Sequence, residues 1–256
     1  MTMLSPAAAS GKPDSLYVTE NGSGNVLARS SSADFSALAT GLNAPRALAL
    51  HGSTLYVTTS AGLESIPTSG GSPELVAALN DPFGVAAAGD TIYVAEAGTG
   101  RVVAVPMSGE SPVSLLTGLR APRGVAVSGN TLLVADAAAG RVLSVPTSGG
   151  VPTTLVSGLI GPAGVAAAGS TVYISEAFGG RVVKVAADGG TPTPVVTGLA
   201  GPRSLTIVGN TLFIAEYGAG RLVSVPTSGG TPTTVATGLN GPAGVAARCA
   251  CPPPYR

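Results

Sequence analysis

The chain has 256 residues, and its 13 basic and 13 acidic side chains cancel to zero net charge. Charged residues make up only 10%, against roughly 25% in an ordinary domain, so no basic stripe is available for a dedicated nucleic-acid surface. No apolar run approaches the ~20 residues of a membrane-spanning helix. The opening "MTMLSPAAAS" lacks the basic n-region and long apolar h-region of a signal peptide. No signal peptide is therefore expected, and an extracytoplasmic location stays open for a mature or excised form.

Residues 1–13 read as an N-terminal extension. Three short extended segments follow: "SLYVTE" (Ser15 to Glu20), "NVLAR" (Asn25 to Arg29) and "FSALA" (Phe35 to Ala39). They are rich in the Val, Leu and Thr that strands favour. A "GL" pair at Gly41 and a degenerate "LN" at Leu79 then open two units of similar pattern. From Gly118 the pattern becomes regular: "GL" recurs at Gly118, Gly158, Gly198 and Gly238, forty residues apart each time. A fixed period of this size is the mark of a repeat architecture.

Each unit holds four extended segments. In the unit that opens at Gly118 they are "GVAV", "TLLVA", "RVLSV" and "PTTLV". Tight turns of the type "SGNT" and "TSGG" separate them, where Gly and Asn accept positive φ. No segment sustains a 3.6-residue apolar period, so helices are disfavoured. Four antiparallel strands per forty residues predict one propeller blade per unit. The small residues of "GVAA" and "GVAV" suit an innermost strand crowded near the axis. The chain enters at a second strand and finishes on a first strand, "GPAGVAA" (Gly241 to Ala247). The fold expected is an all-β, six-bladed propeller over residues 14–247. Its first blade is split between 14–40 and 238–247, and the C-terminal strand closes the ring and removes free sheet edges. Residues 248–256 form a tail whose Cys249 and Cys251 are too close together to staple the fold.

The run "GPAGVAAAGSTVYISEAFGGRVVKV" resembles the NHL repeat, a six-bladed propeller unit, over nearly the whole chain. "TLFIAEYGAGRLVSV" is also similar to repeats of the virginiamycin B lyase family, whose propellers have seven blades against the six counted here, and gluconolactonase-type propellers are a further six-bladed likeness. These resemblances imply the fold strongly and function weakly, because propellers host many unrelated activities. The lyase likeness implies a histidine base near the mouth. The one histidine, His51, falls in a first-to-second-strand turn and so on the opposite face. The lactonase likeness implies a metal held by a glutamate before the blade-entry Gly-Pro together with inner-loop Asn and Asp. Ala44, Asp81, Ala121, Gly161, Gly201 and Gly241 stand before the entry prolines, and only Asp81 could serve.

Loops joining the second strand to the third, and blade to blade, share one face and vary most, which makes that face the expected site. Three sets of residues fall on it. The residue after each entry proline is Arg46, Phe83, Arg123, Ala163, Arg203 and Ala243 in turn. The arginines alternate from blade to blade as a pseudo-threefold set. Pointing inward they make a carboxylate receptor, with Arg120 adding to it and Asp81 opposing; pointing outward they are a solvated rim. An acid ends the second strand at Glu20, Glu96, Asp136, Glu176 and Glu216. In four blades an arginine follows five residues later. A structural ion pair and a carboxylate ring able to hold a cation or act as base both fit this pattern. Phe83, Phe178 and Tyr217 could wall a ligand pocket or pack on neighbouring loops.

Three readings remain open. The first is a binding module for a small anionic molecule or a protein partner, monomeric and without a cofactor. The second is a lactonase-like hydrolase or a lyase, with Asp81, Glu96, Glu176 or Glu216 as base and a divalent cation in the axial mouth under this reading alone. The third is a structural propeller with a featureless face.

Overall fold

The computed structural model describes residues 13–30 and 34–248. The extension as far as residue 12 and the tail with Cys249 and Cys251 lie outside the described residues. Among the described residues, twenty-four strands make six four-stranded antiparallel sheets, and the one helical turn is Ala137–Ala139. No helix among the described residues is long and apolar enough to cross a membrane.

Blade five shows the plan. Its innermost strand Pro162–Ala168 pairs with Thr171–Glu176, which pairs with Arg181–Ala186, which pairs with Thr193–Thr197 at the rim. The ring closes as the sequence predicts: Pro242–Arg248 pairs with Ser15–Glu20, and the first sheet runs on through Asn25–Ser30 to Ser36–Ala39. The hairpin turns differ in one detail from the sequence reading. Gly129 takes the positive φ (57°), while the neighbouring Asn130 does not.

No blade has a core of its own. The buried apolar side chains fall into six clusters, each drawn from two adjoining blades. Thus Leu133 and Leu155 of blade four meet Val172 and Ile174 of blade five, and Leu16 and Val18 of blade one meet Phe213 and Leu222 of blade six. One sheet presents two apolar faces and can cover neither alone, so stability comes from stacking round the ring.

Near the axis the blades approach so closely that only a small side chain fits. A Cβ at Gly124 would lie 2.3 Å from the carbonyl oxygen of Ala163 in the next blade. In blade six Ser204 stands at the equivalent position, and its hydroxyl accepts a hydrogen bond from the amide of Val245 at 3.2 Å.

Candidate functional site

The innermost strands surround an axial cavity of about 370 Å³. All six residues that follow the entry prolines line it: Arg46, Phe83, Arg123, Ala163, Arg203 and Ala243. In five of the six blades a bulge places them there. In blade four the pairing runs Pro122 to Asp136 and then skips to Val125 with Val134, so that Arg123 and Gly124 together oppose Ala135. The same slip recurs in blades one, three, five and six. A bulge bends the strand and re-aims the side chain it carries, here toward the mouth.

The arginines lie against aromatic rings. The guanidinium of Arg46 sits 4.0 Å from the ring centroid of Phe83, that of Arg123 sits 5.1 Å from the same ring, and that of Arg203 sits 3.3 Å from the centroid of Tyr217. Stacking holds the planar cations with their donor edges free of the ring faces. Arg46 also donates to the carbonyl of Pro82 at 2.9 Å and pairs with Asp81 at 2.5 Å. Among the described residues no carboxylate lies within ion-pair distance of Arg123 or Arg203. Burial, and then the charge of Arg46, push the Arg123 guanidinium down, while Asp81 pulls it back. Burial also pushes Arg203 down, with Tyr217 opposing and Arg123 and Arg46 adding to the fall. The three cations sense one another across a partly dry mouth. Such a field draws an anion.

Asp81 has a further peculiarity. Its φ is +49°, and Ala44 (+49°) and Ala121 (+61°) share this left-handed conformation. Glycine fills the equivalent place in the other three blades, at Gly161, Gly201 and Gly241. Asp tolerates this region better than Ala, and here the conformation accompanies its ion pair with Arg46.

The acids at the ends of the second strands do not reach the cavity. Glu96, Asp136, Glu176 and Glu216 are wholly buried, and none lines it. Each has two duties. One oxygen takes the arginine five residues on: Arg101, Arg141, Arg181 and Arg221. The other accepts a backbone amide of the blade-to-blade loop: Asn80 at 2.7 Å, Arg120 at 2.7 Å, Ile160 at 2.9 Å and Ala200 at 2.8 Å. Glu20 does the same for Asn240 at 2.8 Å, with Ser23 and Asn25 in place of arginine. Burial by itself would raise the carboxyl of Glu96, but hydrogen bonds from Arg101, the Asn80 amide and Thr99 outweigh it and hold the group below the ordinary range. Of the four carboxylates weighed as a base, Asp81 alone stands at the mouth, half-exposed and paired.

Two other expectations need correcting. Arg120 is exposed and outside the cavity; its backbone amide, not its guanidinium, is engaged. Phe178 is 77% exposed, lies against Gly161 and does not line the cavity. No group of three or more His, Cys, Asp or Glu among the described residues is placed to hold a metal ion. The sequence reading also passed over the buried hydroxyls of Thr19, Thr58 and Ser175. They donate to the carbonyls of Arg46, Phe83 and Arg203 in the next blade and so pin three of the mouth residues. The signal was present as a hydroxyl next to last in the second strand of three units.

Neither a family model nor a curated protein sequence matches the chain, but solved structures do. A chain in the crystal structure of a nidogen/laminin complex superposes with a TM-score of 0.82 at 19% identity, over 92% of this chain and 99% of its own length. The fold is a six-bladed β-propeller. A streptogramin B lyase structure superposes with a TM-score of 0.70 at 12% identity, over 93% of this chain and 88% of its own. At these identities the likeness is one of fold, and one neighbour is part of a protein complex while the other is a lyase.

Proposed function

We propose that the protein is a binding module whose axial mouth receives an anionic group, carried by a small molecule or presented by a protein partner. One observation carries this reading. Arg46, Arg123 and Arg203 converge on a single cavity, and among the described residues the one carboxylate paired with any of them is Asp81, on Arg46. Three partly desolvated guanidinium groups cost free energy in the empty protein, and a carboxylate or phosphate returns it through charge-assisted hydrogen bonds. The nidogen/laminin neighbour supports a propeller face that meets a protein.

The enzyme reading has less support. It needs an unengaged base at the mouth, and the buried acids are committed to arginines and loop amides. A divalent cation would have to be held by Asp81, which is already paired with Arg46 and lies within the field of Arg123.

Titration calorimetry with citrate, acetate and phosphate at low salt tests the proposal. The expected result is binding that weakens as salt rises and falls by about 10-fold or more in Arg123→Ala, since a hydrogen bond to a charged group contributes about 1.5–3 kcal/mol. Absence of any anion binding, or binding unchanged in Arg123→Ala, Arg46→Ala and Arg203→Ala, overturns it.

A further inference from the structure

We infer that the axial cavity takes an amphipathic anion, its carboxylate head on the arginine ring and an unbranched aliphatic tail running down the channel toward the opposite face. The inference rests on the anion-binding reading above and names the ligand class.

Four residues beyond each mouth position, the same strands contribute a second ring: Leu50, Ala87, Val127, Ala167, Ile207 and Ala247. All six line the cavity. The blades that carry arginine at the mouth carry a branched aliphatic here, and the other three carry alanine. The bulge takes up one residue's rise, so at the rise of an extended strand the two rings lie about 10 Å apart. Of the three positions between them in each blade, the last is alanine in five blades and Thr206 in the sixth. Among the residues that line the cavity the only charged ones are Arg46, Arg123 and Arg203, all at one end.

Charge stands at one end of this space only, so the ligand that fits it is one charged at that end alone. Phosphate or a compact polyanion would leave the aliphatic floor wet. A linear dicarboxylate would press its second charge against Leu50, Val127 and Ile207, with no partner to offset desolvation. At about 370 Å³ the cavity lies at the small end of ligand sites. It suits one small amphiphile and not a folded peptide. Phe83 carries the apolar wall up to the mouth, since its ring lies beneath the guanidinium groups of Arg46 and Arg123.

Calorimetry with acetate, butanoate, hexanoate and octanoate, with 1-octanol and citrate as controls, tests the inference on the intact protein. Affinity should climb along the series by up to about 15-fold per pair of fully buried methylenes. Octanoate should bind more tightly than octanol, and Arg123→Ala should weaken every acid by a similar factor. Ala167→Leu, which copies the residue found at this place in blade two, shortens the channel and should weaken octanoate while sparing butanoate. Affinities that stay within about twofold from acetate to octanoate overturn the amphipathic ligand and leave the anion reading standing, as does citrate binding more tightly than octanoate. Octanoate unaffected by Ala167→Leu overturns the placement of the tail. Octanol equal to octanoate, or no acid binding at all, overturns the anion reading together with the inference.

Discussion

The buried acids offer the sharpest check on how the ring is held. In blade five, Glu176 is wholly buried; it accepts the amide of Ile160 at 2.9 Å and pairs with Arg181, whose side chain is 31% exposed. Glu176→Ala removes both contacts. The orphaned amide costs about 1–3 kcal/mol. The lost ion pair adds no more than about 1 kcal/mol, because the arginine reaches solvent. Together they give about 1–4 kcal/mol, or a fall in Tm of about 2–16 °C at the 2–4 °C per kcal/mol typical of a chain this long. Glu176→Gln keeps an oxygen for Ile160, and Arg181 swings into water, so its expected cost is within about 1 kcal/mol. Thermal and urea unfolding followed by circular dichroism measures both. If Gln destabilises as much as Ala, the charge and not the loop amide is what matters, and the reasoning is refuted. It is equally refuted if Ala costs less than about 0.5 kcal/mol.

Other outcomes follow from the same geometry. Ala121→Gly, at φ +61°, should stabilise by about 0.5–1 kcal/mol, the left-handed penalty less the extra entropy of glycine; a fall in Tm contradicts this. Gly124→Ala drives a Cβ against the backbone of blade five and should cost about 1–3 kcal/mol or more in the same unfolding assay. The carboxyl of Glu96 is held below its ordinary value, so its share of stability is present above the unfolded pKa of about 4.3 and is lost as pH falls through the lower folded value. Glu96→Gln should therefore flatten the acid limb of a stability–pH profile, and an unchanged limb counts against the shift. Ending the chain before Pro242 removes the strand that pairs with Ser15–Glu20, and cooperative unfolding should vanish; a truncated chain that melts like the full one would mean the ring does not need that closure.

Much of this architecture was legible because a repeat states its own period. Four short strands per forty residues, and a first strand left over at the end, determined six blades and the closing pair. The residue after each entry proline was legible as a ring, and the acid five residues before an arginine as a pair. What the sequence hides is direction. Arg120 and Arg123 stand three apart in one loop, yet the bulge turns Arg123 to the axis while Arg120 faces solvent. Phe83 and Phe178 both lie on the mouth face, but one follows the proline into the cavity and the other sits in a second-to-third-strand loop that opens outward. A carboxylate in strand pattern also does not say that a loop amide sixteen residues earlier will claim its second oxygen, because that bond exists only once the sheet and the entry loop have formed.

The alternation around the axis separates scaffold from site. Every blade meets its neighbours in nearly the same way, so constraints of packing alone repeat every forty residues. The floor ring repeats every eighty, large then small, and crowding can explain it: six branched side chains pointing at one axis compete for the same space, and alternating large with small is how narrow barrels fit their taper. Crowding does not explain the mouth. Alanine, present there at Ala163 and Ala243, satisfies the sterics without burying a charge. Three arginines at three of the other four places repel one another, lose hydration and, among the described residues, take only one carboxylate between them. A propeller that needed only to close would do better with aliphatic side chains there. The excess positive charge, and not the alternation itself, is therefore the part of the pattern that an anionic ligand accounts for.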